Sequence, residues 1–172
     1  MIAPSFVVHY GSIIPDLIMD WRSCGFDKIA EITYGAKLIT KEYQKLIEEG
    51  KESHYITSTC PVTFDYIFKY DNKNIPAIAP VTSPMIAMSL AVKKHFPEHK
   101  TVFVGPCPAK IIEAREYDCV DAALTFLEFD TLVKDFRDSV IVEKSDNNKL
   151  FDNFYNNRNK IYPCSGGLSH IM

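Results

Sequence analysis

The five cysteines of this 172-residue chain lack the pattern of a disulfide framework or a zinc ribbon. They are odd in number and widely separated, and no two of them form a CxxC pair. Reduced thiols are therefore expected. An isolated free cysteine is most often a small buried hydrophobic residue, so a ligand role needs further support.

Long hydrophobic runs and an excess of positive charge are also missing. No apolar run approaches the roughly 18 residues of a membrane span, and no basic region precedes the apolar stretch in residues 1–10. The formal net charge of -3 gives no basis for nucleic-acid binding. We therefore predict a cytoplasmic protein with no membrane span and no nucleic-acid partner.

The residues that are present predict an α/β fold, with parallel sheets flanked by helices. Hydrophobic residues make up 47% of the chain and charged residues 24%, a globular composition. Short apolar segments alternate with stretches of helical periodicity, as in βαβ units. We predict strands at residues 2–8, 28–32, 54–57, 101–104 and 120–124, and helices at residues 15–24, 34–49, 62–70, 84–96 and 126–136.

Two cysteines occupy equivalent places in this pattern. Cys60 and Cys107 each follow a predicted parallel strand and stand beside proline at the opening of a helix. The carboxyl ends of parallel strands are the ligand-binding edge of α/β sheets, and helix N-termini stabilise anions such as thiolates. Thiolate is the form of cysteine that binds iron. The two residues are thus candidate iron-sulfur ligands, with buried unreactive thiols as the alternative.

The segments around these cysteines resemble motifs of the iron-iron hydrogenases. Residues 57–61 (TSTCP) are similar to the TSCCP motif of that family, and residues 105–113 (GPCPAKIIE) are similar to its MPCxxKxxE motif. The order and separation of the two motifs match as well. Weaker similarity to other family segments occurs at residues 3–5, 25–28, 34–36, 83–84 and 121–125.

This resemblance implies a two-lobed hydrogenase domain that binds the H-cluster, a 4Fe-4S cubane joined to a two-iron site. It implies Cys60 and Cys107 as two of four cubane ligands, and Lys110 as a donor to a cyanide of the two-iron site. The alternative for Lys110 is a surface lysine that pairs with Glu113. The other residues that match the pocket lining are Pro4, Ser5, Ser83 and Pro106. For Ser5, a plain strand-end hydroxyl remains the alternative.

The departures from the family motifs concern proton delivery. Thr59 stands where the family has a proton-relaying cysteine, and a threonine hydroxyl is far less acidic than a thiol. The relay glutamates of the family correspond to Tyr43 and Leu46, which leaves Glu113 as the remaining acid of the relay. Gly105 replaces the methionine of the second motif. Slow turnover or hydrogen sensing is therefore expected over rapid catalysis.

The resemblance also predicts how the chain is divided. The first lobe would cover about residues 1–98 and the start of a second lobe residues 99–143, followed by an asparagine-rich polar loop at 144–160 and a truncated helix start at 161–172. The third cysteine motif of the family would lie beyond Met172. Cys164 is a candidate substitute ligand, with a structural role as the alternative.

Two functional hypotheses follow from the sequence. In the first, the longer protein holds an H-cluster, acts on hydrogen and protons, and exchanges electrons with a partner such as a ferredoxin or adjoining iron-sulfur domains. In the second, the chain is a cluster-free interaction or signalling module. For residues 1–172 by themselves we predict no complete H-cluster and no hydrogenase activity.

Overall fold

The computed structural model describes residues 1–50, 52, 54–139, 151–152, 164 and 167–171. Within these residues the chain is mostly helical, with one small parallel sheet. The helices are α1 (Phe6–Tyr10), α2 (Ile14–Ser23), α3 (Thr33–Glu49), α4 (Pro61–Tyr70), α5 (Pro84–His95), α6 (Ala109–Arg115), α7 (Phe126–Ser139) and α8 (Gly167–Ile171). The strands are β1 (Val102–Gly105) and β2 (Ala122–Thr125), and 3-10 turns lie at Gly11–Ile13 and Asn72–Ala77.

The sheet is parallel, as predicted, but smaller than predicted. β1 pairs with β2 in register from Val102 with Ala122 to Gly105 with Thr125, and α6 connects the two strands. Ile2 extends this arrangement on the other side of β1 through single parallel bridges to Val104 and Glu31. The polypeptide that enters α1 therefore lies beside the carboxyl end of β1.

Three of the predicted strands are reduced to isolated bridges at one residue each. Among the described residues, 28–32 pair only at Glu31, and 54–57 pair only at Ile56, with Ile78 as partner. The strand at residues 2–8 is wrong beyond Ala3, because the amides of Phe6 and Val7 bond back to the carbonyls of Ala3 and Pro4 and open α1. A short apolar run fits a strand or a buried helix equally well, so its periodicity alone did not separate the two.

The predicted helices are confirmed, and their boundaries agree to within about two residues except at the end of α7. The α3 helix ends at Gly50, which adopts a left-handed conformation with φ 60°. The predicted capping box of α7 is also confirmed. The Glu128 carboxylate accepts the amide and hydroxyl hydrogens of Thr125, and the Thr125 hydroxyl accepts the Glu128 amide hydrogen. These bonds lower the pKa of Glu128.

Two hydrophobic clusters hold the helices together. The larger cluster surrounds β1 and joins α1 and α2 to α7, with Trp21, Phe103 and Phe129 among its buried members. The smaller cluster packs α3 against the 79–81 segment and α5, through Ile39, Tyr43, Ala79, Val81 and Ala87. Because α5 contributes to both, it fixes the smaller cluster relative to the sheet. The predicted lobe boundary near residue 98 stays a prediction.

Within the described residues, no helix combines the length and apolar character needed to cross a membrane. The predicted polar loop at 144–160 lies outside the described residues, except for Phe151 and Asp152. Asp152 is tied to the fold, since its carboxylate accepts a hydrogen bond from Arg22 at 2.8 Å and one from the Ile29 amide at 2.7 Å. The predicted helix start at the end of the chain corresponds to α8.

Candidate functional site

The two predicted cysteine ligands lie at the starts of two helices that contact each other. Cys60 is the N-cap of α4, and Cys107 lies two residues before α6. The α4 and α6 helices are in contact. Their starts are also linked directly, because the Lys110 ammonium donates a hydrogen bond of 3.0 Å to the carbonyl of Thr59. The segment that carries Cys60 and the helix that follows Cys107 therefore meet at Lys110.

Lys110 forms the centre of this arrangement. Its ammonium lies 2.5 Å from the Glu113 carboxylate, one turn further along α6. Both side chains are largely buried, with exposed fractions of 16% for Lys110 and 10% for Glu113. Within the described part of the chain, the ammonium uses two of its three hydrogens for these contacts. The pairing with Glu113 that was the alternative for Lys110 is thus present, but the two side chains are largely buried instead of lying on the surface.

The environment of Cys60 favours a thiolate. Burial by itself raises the pKa of the Cys60 thiol, but four other contributions outweigh it. Hydrogen bonds from the Thr63 amide and hydroxyl and from the Val62 amide, together with the charge of Lys110, lower the pKa below its usual value. Cys60 is exposed and Cys107 half-buried. The Cys107 carbonyl accepts the Lys110 amide hydrogen at 3.1 Å and so opens α6.

The predicted pocket residues from the first strand reach the same edge of the sheet. The Ala3 amide donates to the Val104 carbonyl at 2.8 Å, so Pro4 and Ser5 follow directly beside the end of β1. Pro106 continues from β1 on that side. Pro4 is buried, Ser5 is half-buried and Pro106 is exposed.

Ser83 is buried and serves as the N-cap of α5, with its hydroxyl accepting the Ile86 amide hydrogen at 3.5 Å. It also lines a cavity of about 620 Å³ between α4, α6 and the 79–83 segment. Glu113 and Ser58 lie on the wall of the same cavity, whereas Cys60, Cys107 and Lys110 are not among its lining residues.

The relay positions at Tyr43 and Leu46 have a different role in this chain. Both side chains pack into the smaller hydrophobic cluster, where Tyr43 is only 3% exposed. The Tyr43 hydroxyl accepts the Ser58 amide hydrogen at 3.0 Å. The contact between Tyr43 and Ser58, two residues before Cys60, was not predicted from the sequence. The signal for Tyr43 was hidden, because an aromatic residue in a helical apolar stripe is read as a core residue.

The other cysteines are Cys24, Cys119 and Cys164. Cys24 and Cys119 are half-buried and pack against the larger hydrophobic cluster. Burial is also the main reason why the pKa of Cys24 is raised. Cys164 is exposed, and its carbonyl accepts the Gly167 amide hydrogen at 2.8 Å before α8. Its suggested role as a substitute ligand stays a prediction.

Comparison with protein families shows which family the sequence matches. The model of the family described as "Iron only hydrogenase large subunit, C-terminal domain" matches residues 1–172. The chain belongs to this hydrogenase family. The resemblance that the two cysteine motifs carry is therefore confirmed over the whole sequence.

Solved structures of hydrogenases show the same fold. An apo variant of the FeFe-hydrogenase HydA1 from Chlamydomonas reinhardtii is 20% identical, with a TM-score of 0.62. Two further variants of that enzyme are 21% and 23% identical, each with a TM-score of 0.66. In each case the match covers 89% of this chain and 45% of the other chain. The hydrogenase-family sequence described here thus spans less than half the length of these relatives.

The two cysteines at this site would fit the family's cofactor in kind but not in number. Cysteine thiolates hold iron-sulfur clusters, and a cubane takes four of them. Cys60 and Cys107, near the starts of α4 and α6, would provide two. Across the described residues, no group of three or more histidine, cysteine, aspartate or glutamate side chains is placed to hold a metal ion.

Gly105 differs from the family motif for a steric reason. A Cβ atom on Gly105 would lie 2.7 Å from Cζ and 2.9 Å from Cε1 of Phe103, and 3.1 Å from the Ala3 Cβ. The buried Phe103 ring therefore occupies the space that a side chain at position 105 needs. Glycine at this position and phenylalanine two residues earlier form a matched pair.

We expect Gly105→Met to lower the free energy of unfolding by about 1–3 kcal/mol, the usual cost of overpacking a core. Phe103→Leu, which removes the ring, is expected to recover part of this loss. A denaturant-unfolding double-mutant cycle is expected to give a favourable coupling energy of about 0.5–3 kcal/mol. Strictly additive effects of the two substitutions would show that the Phe103 ring does not exclude the methionine.

Proposed function

We propose that this chain is part of an H-cluster-binding hydrogenase domain and that Cys60 and Cys107 are two of the cubane ligands. The observation that carries the proposal is the Lys110 contact between the starts of α4 and α6, since it draws both cysteine-bearing segments to one place. The family match supports the same conclusion. The cluster would supply the electron-transfer chemistry, and the chain would supply thiolate ligands and a largely buried cation.

The residues around the ligands would orient the cofactor and hold protons. Contacts to described residues use two of the three Lys110 ammonium hydrogens, so the third would be available to an anionic ligand such as cyanide, while the Glu113 carboxylate keeps the charge localised. Pro4, Ser5, Ser83 and Pro106 would complete the pocket wall. Glu113 and Thr59 are the proposed proton-handling groups. Because a threonine hydroxyl is a poor acid near neutral pH, we propose hydrogen sensing or slow turnover in the cytoplasm, with a ferredoxin-like electron partner.

A test is anaerobic reconstitution of the natural protein that contains these residues. We expect bound iron and sulfide, together with infrared bands of carbon monoxide and cyanide. Cys60→Ser and Cys107→Ser are each expected to lose most of the bound iron, because a remaining set of three thiolates holds a cubane poorly. The matched control is Cys119→Ser, which changes a cysteine packed against the larger cluster and is expected to keep the iron.

The second candidate is a cluster-free module for interaction or signalling. It is favoured by the small number of ligands, since no three metal-binding side chains converge in the described residues. An iron-free natural protein after reconstitution would support this candidate and contradict the first. For residues 1–172 prepared alone we propose no complete H-cluster and no hydrogen turnover, and hydrogen production by that polypeptide would contradict this.

A further inference from the structure

The segment that leads to Cys60 has few attachments to the rest of the fold. Its last sheet-like contact is at Ile56, whose amide donates to the Ala77 carbonyl at 2.8 Å and whose carbonyl accepts the Ala79 amide hydrogen at 2.9 Å. The α4 helix then begins at Pro61. Between these two points the described residues form no backbone ladder, so the residues that precede Cys60 depend on side-chain contacts, while the Cys60 carbonyl itself bonds to the Phe64 amide at the start of α4.

Ser58 is the residue of this segment that is held most firmly. Its amide donates to the Tyr43 hydroxyl oxygen at 3.0 Å, and its own hydroxyl donates to the Val81 carbonyl. The Tyr43 and Ser58 hydroxyl oxygens are 3.2 Å apart. Since the single hydroxyl hydrogen of Ser58 goes to Val81, Tyr43 must donate its hydrogen to Ser58. The Tyr43 hydroxyl thus accepts one hydrogen bond from Ser58 and donates another back to it.

Tyr43 is well suited to act as a fixed point. Its ring is buried in the smaller hydrophobic cluster with Ile39, Ala79 and Val81, and it projects from the long helix α3. A hydroxyl on a ring held by packing loses little freedom when it forms a hydrogen bond, so both bonds to Ser58 are pre-organised. Val81 belongs to the same cluster. The Cys60 segment is therefore anchored to the junction of α3 and the 79–81 segment.

We infer that Tyr43 is a positioning residue for Cys60, and that it acts through Ser58. Its hydrogen bonds to Ser58 hold this segment in place where no backbone ladder does. One residue closer to Cys60, Lys110 holds the Thr59 carbonyl. Tyr43 and Lys110 thus fix the two residues that precede the thiol from opposite elements, α3 and α6. The inference rests on the proposed function only for its consequence on iron binding.

The geometric part is tested by amide hydrogen exchange in Tyr43→Phe, which removes the hydroxyl and keeps the ring. Exchange of the Ser58 amide is expected to become about tenfold faster, since that amide loses its acceptor. Exchange of the Phe64 amide, which donates to the Cys60 carbonyl at 3.2 Å, is expected to accelerate too if Cys60 moves. The Asp71 amide at the far end of α4, bonded to Ile67, is expected to stay unchanged.

Tyr55→Phe is the matched control. Tyr55 packs against the same cluster as Tyr43, but its hydroxyl makes no hydrogen bond to any described residue. This variant is expected to leave the Ser58 and Phe64 amides unchanged. If Tyr43→Phe does not fold, Ser58→Ala removes both hydroxyl links and is expected to accelerate Phe64 exchange in the same way. An unchanged Ser58 amide, or a faster Ser58 amide with an unchanged Phe64 amide, would overturn the inference.

The consequence for the cofactor is tested on the reconstituted natural protein. Release of iron to a chelator is expected to be about tenfold faster in Tyr43→Phe than in the parent, and unchanged in Tyr55→Phe. Equal release rates in Tyr43→Phe and the parent would refute a positioning role. A parent protein without iron would instead refute the proposed function, and the exchange of Ser58 and Phe64 would still decide whether Tyr43 positions Cys60.

Discussion

Replacement of Lys110 by methionine is expected to lower the free energy of unfolding by about 3–5 kcal/mol. The Glu113 side chain is only 10% exposed, and methionine would leave its carboxylate in the interior without a cation. The hydrogen bond to the Thr59 carbonyl would be lost as well. Equilibrium unfolding in guanidinium chloride measures the change.

Two further variants separate the buried ion pair from a general effect of removing a lysine. Lys69→Met removes an exposed α4 lysine that lies 3.7 Å from Asp65, and is expected to change stability by less than about 1 kcal/mol. The double variant Lys110→Met with Glu113→Leu removes both charges, and is expected to be more stable than Lys110→Met alone. If Lys110→Met were as harmless as Lys69→Met, the pair would not stabilise the fold, and Lys110 would serve the cofactor alone.

The structural role of Lys110 is compatible with its proposed role toward a cofactor. A lysine that is fixed by Glu113 and Thr59 presents its remaining hydrogen in a defined direction, whereas an exposed lysine has to be ordered when the ligand binds. The same contacts that stabilise the fold would therefore reduce the entropy lost on binding. If Lys110 has the proposed role, ligand positioning and stability would rest on the same buried pair.

The helices and the identity of the cysteine segments were predictable from the sequence, because local signals specify them. Proline at the first turn of α4 and α5, glycine after α3 and the Thr125–Glu128 capping box each act within a few residues. The position of Cys60 at a helix start follows from the same signals. These features need no knowledge of distant parts of the chain.

The extent of the sheet and the contacts of the Cys60 segment were not predictable in this way. Ile2 pairs at once with Glu31 and Val104, so its strand-like character depends on partners far away in the sequence. The pairing of Tyr43 with Ser58 likewise joins α3 to a segment 15 residues later. An aromatic residue in an apolar stripe gives no sign that its hydroxyl has a specific partner. Tertiary contacts decide such roles.

The packing of α3 on α5 gives the clearest case in which tertiary contact opposes local preference. Alanine is a better helix former than glycine by about 1 kcal/mol, so Gly35→Ala within α3 should be stabilising on local grounds. A Cβ atom at this position, however, would lie 2.2 Å from the Pro84 carbonyl oxygen and 2.8 Å from the Met88 Cβ. The first of these is a backbone atom, so α5 itself would have to move.

We therefore expect Gly35→Ala to lower the free energy of unfolding by at least about 2 kcal/mol, and Gly35→Val to lower it further. Denaturant unfolding measures both. Gly50→Ala is the control, because a Cβ there meets open space and the cost of about 1 kcal/mol comes only from its positive φ. A second substitution, Met88→Gly, is not expected to rescue Gly35→Ala, since the Pro84 carbonyl remains.

Gly35→Ala is also expected to disturb the candidate site, because α3 and α5 each carry a residue of that site. The α3 helix holds Tyr43, the anchor of Ser58, and Ser83 caps α5 where that helix starts beside Pro84. Faster exchange of the Ser58 amide in Gly35→Ala, measured well below the unfolding transition, would show this displacement. If Gly35→Ala were instead more stable than the parent, α3 and α5 would lie further apart than described. The close packing of the two helices could then not fix the distance from Tyr43 to the Cys60 segment.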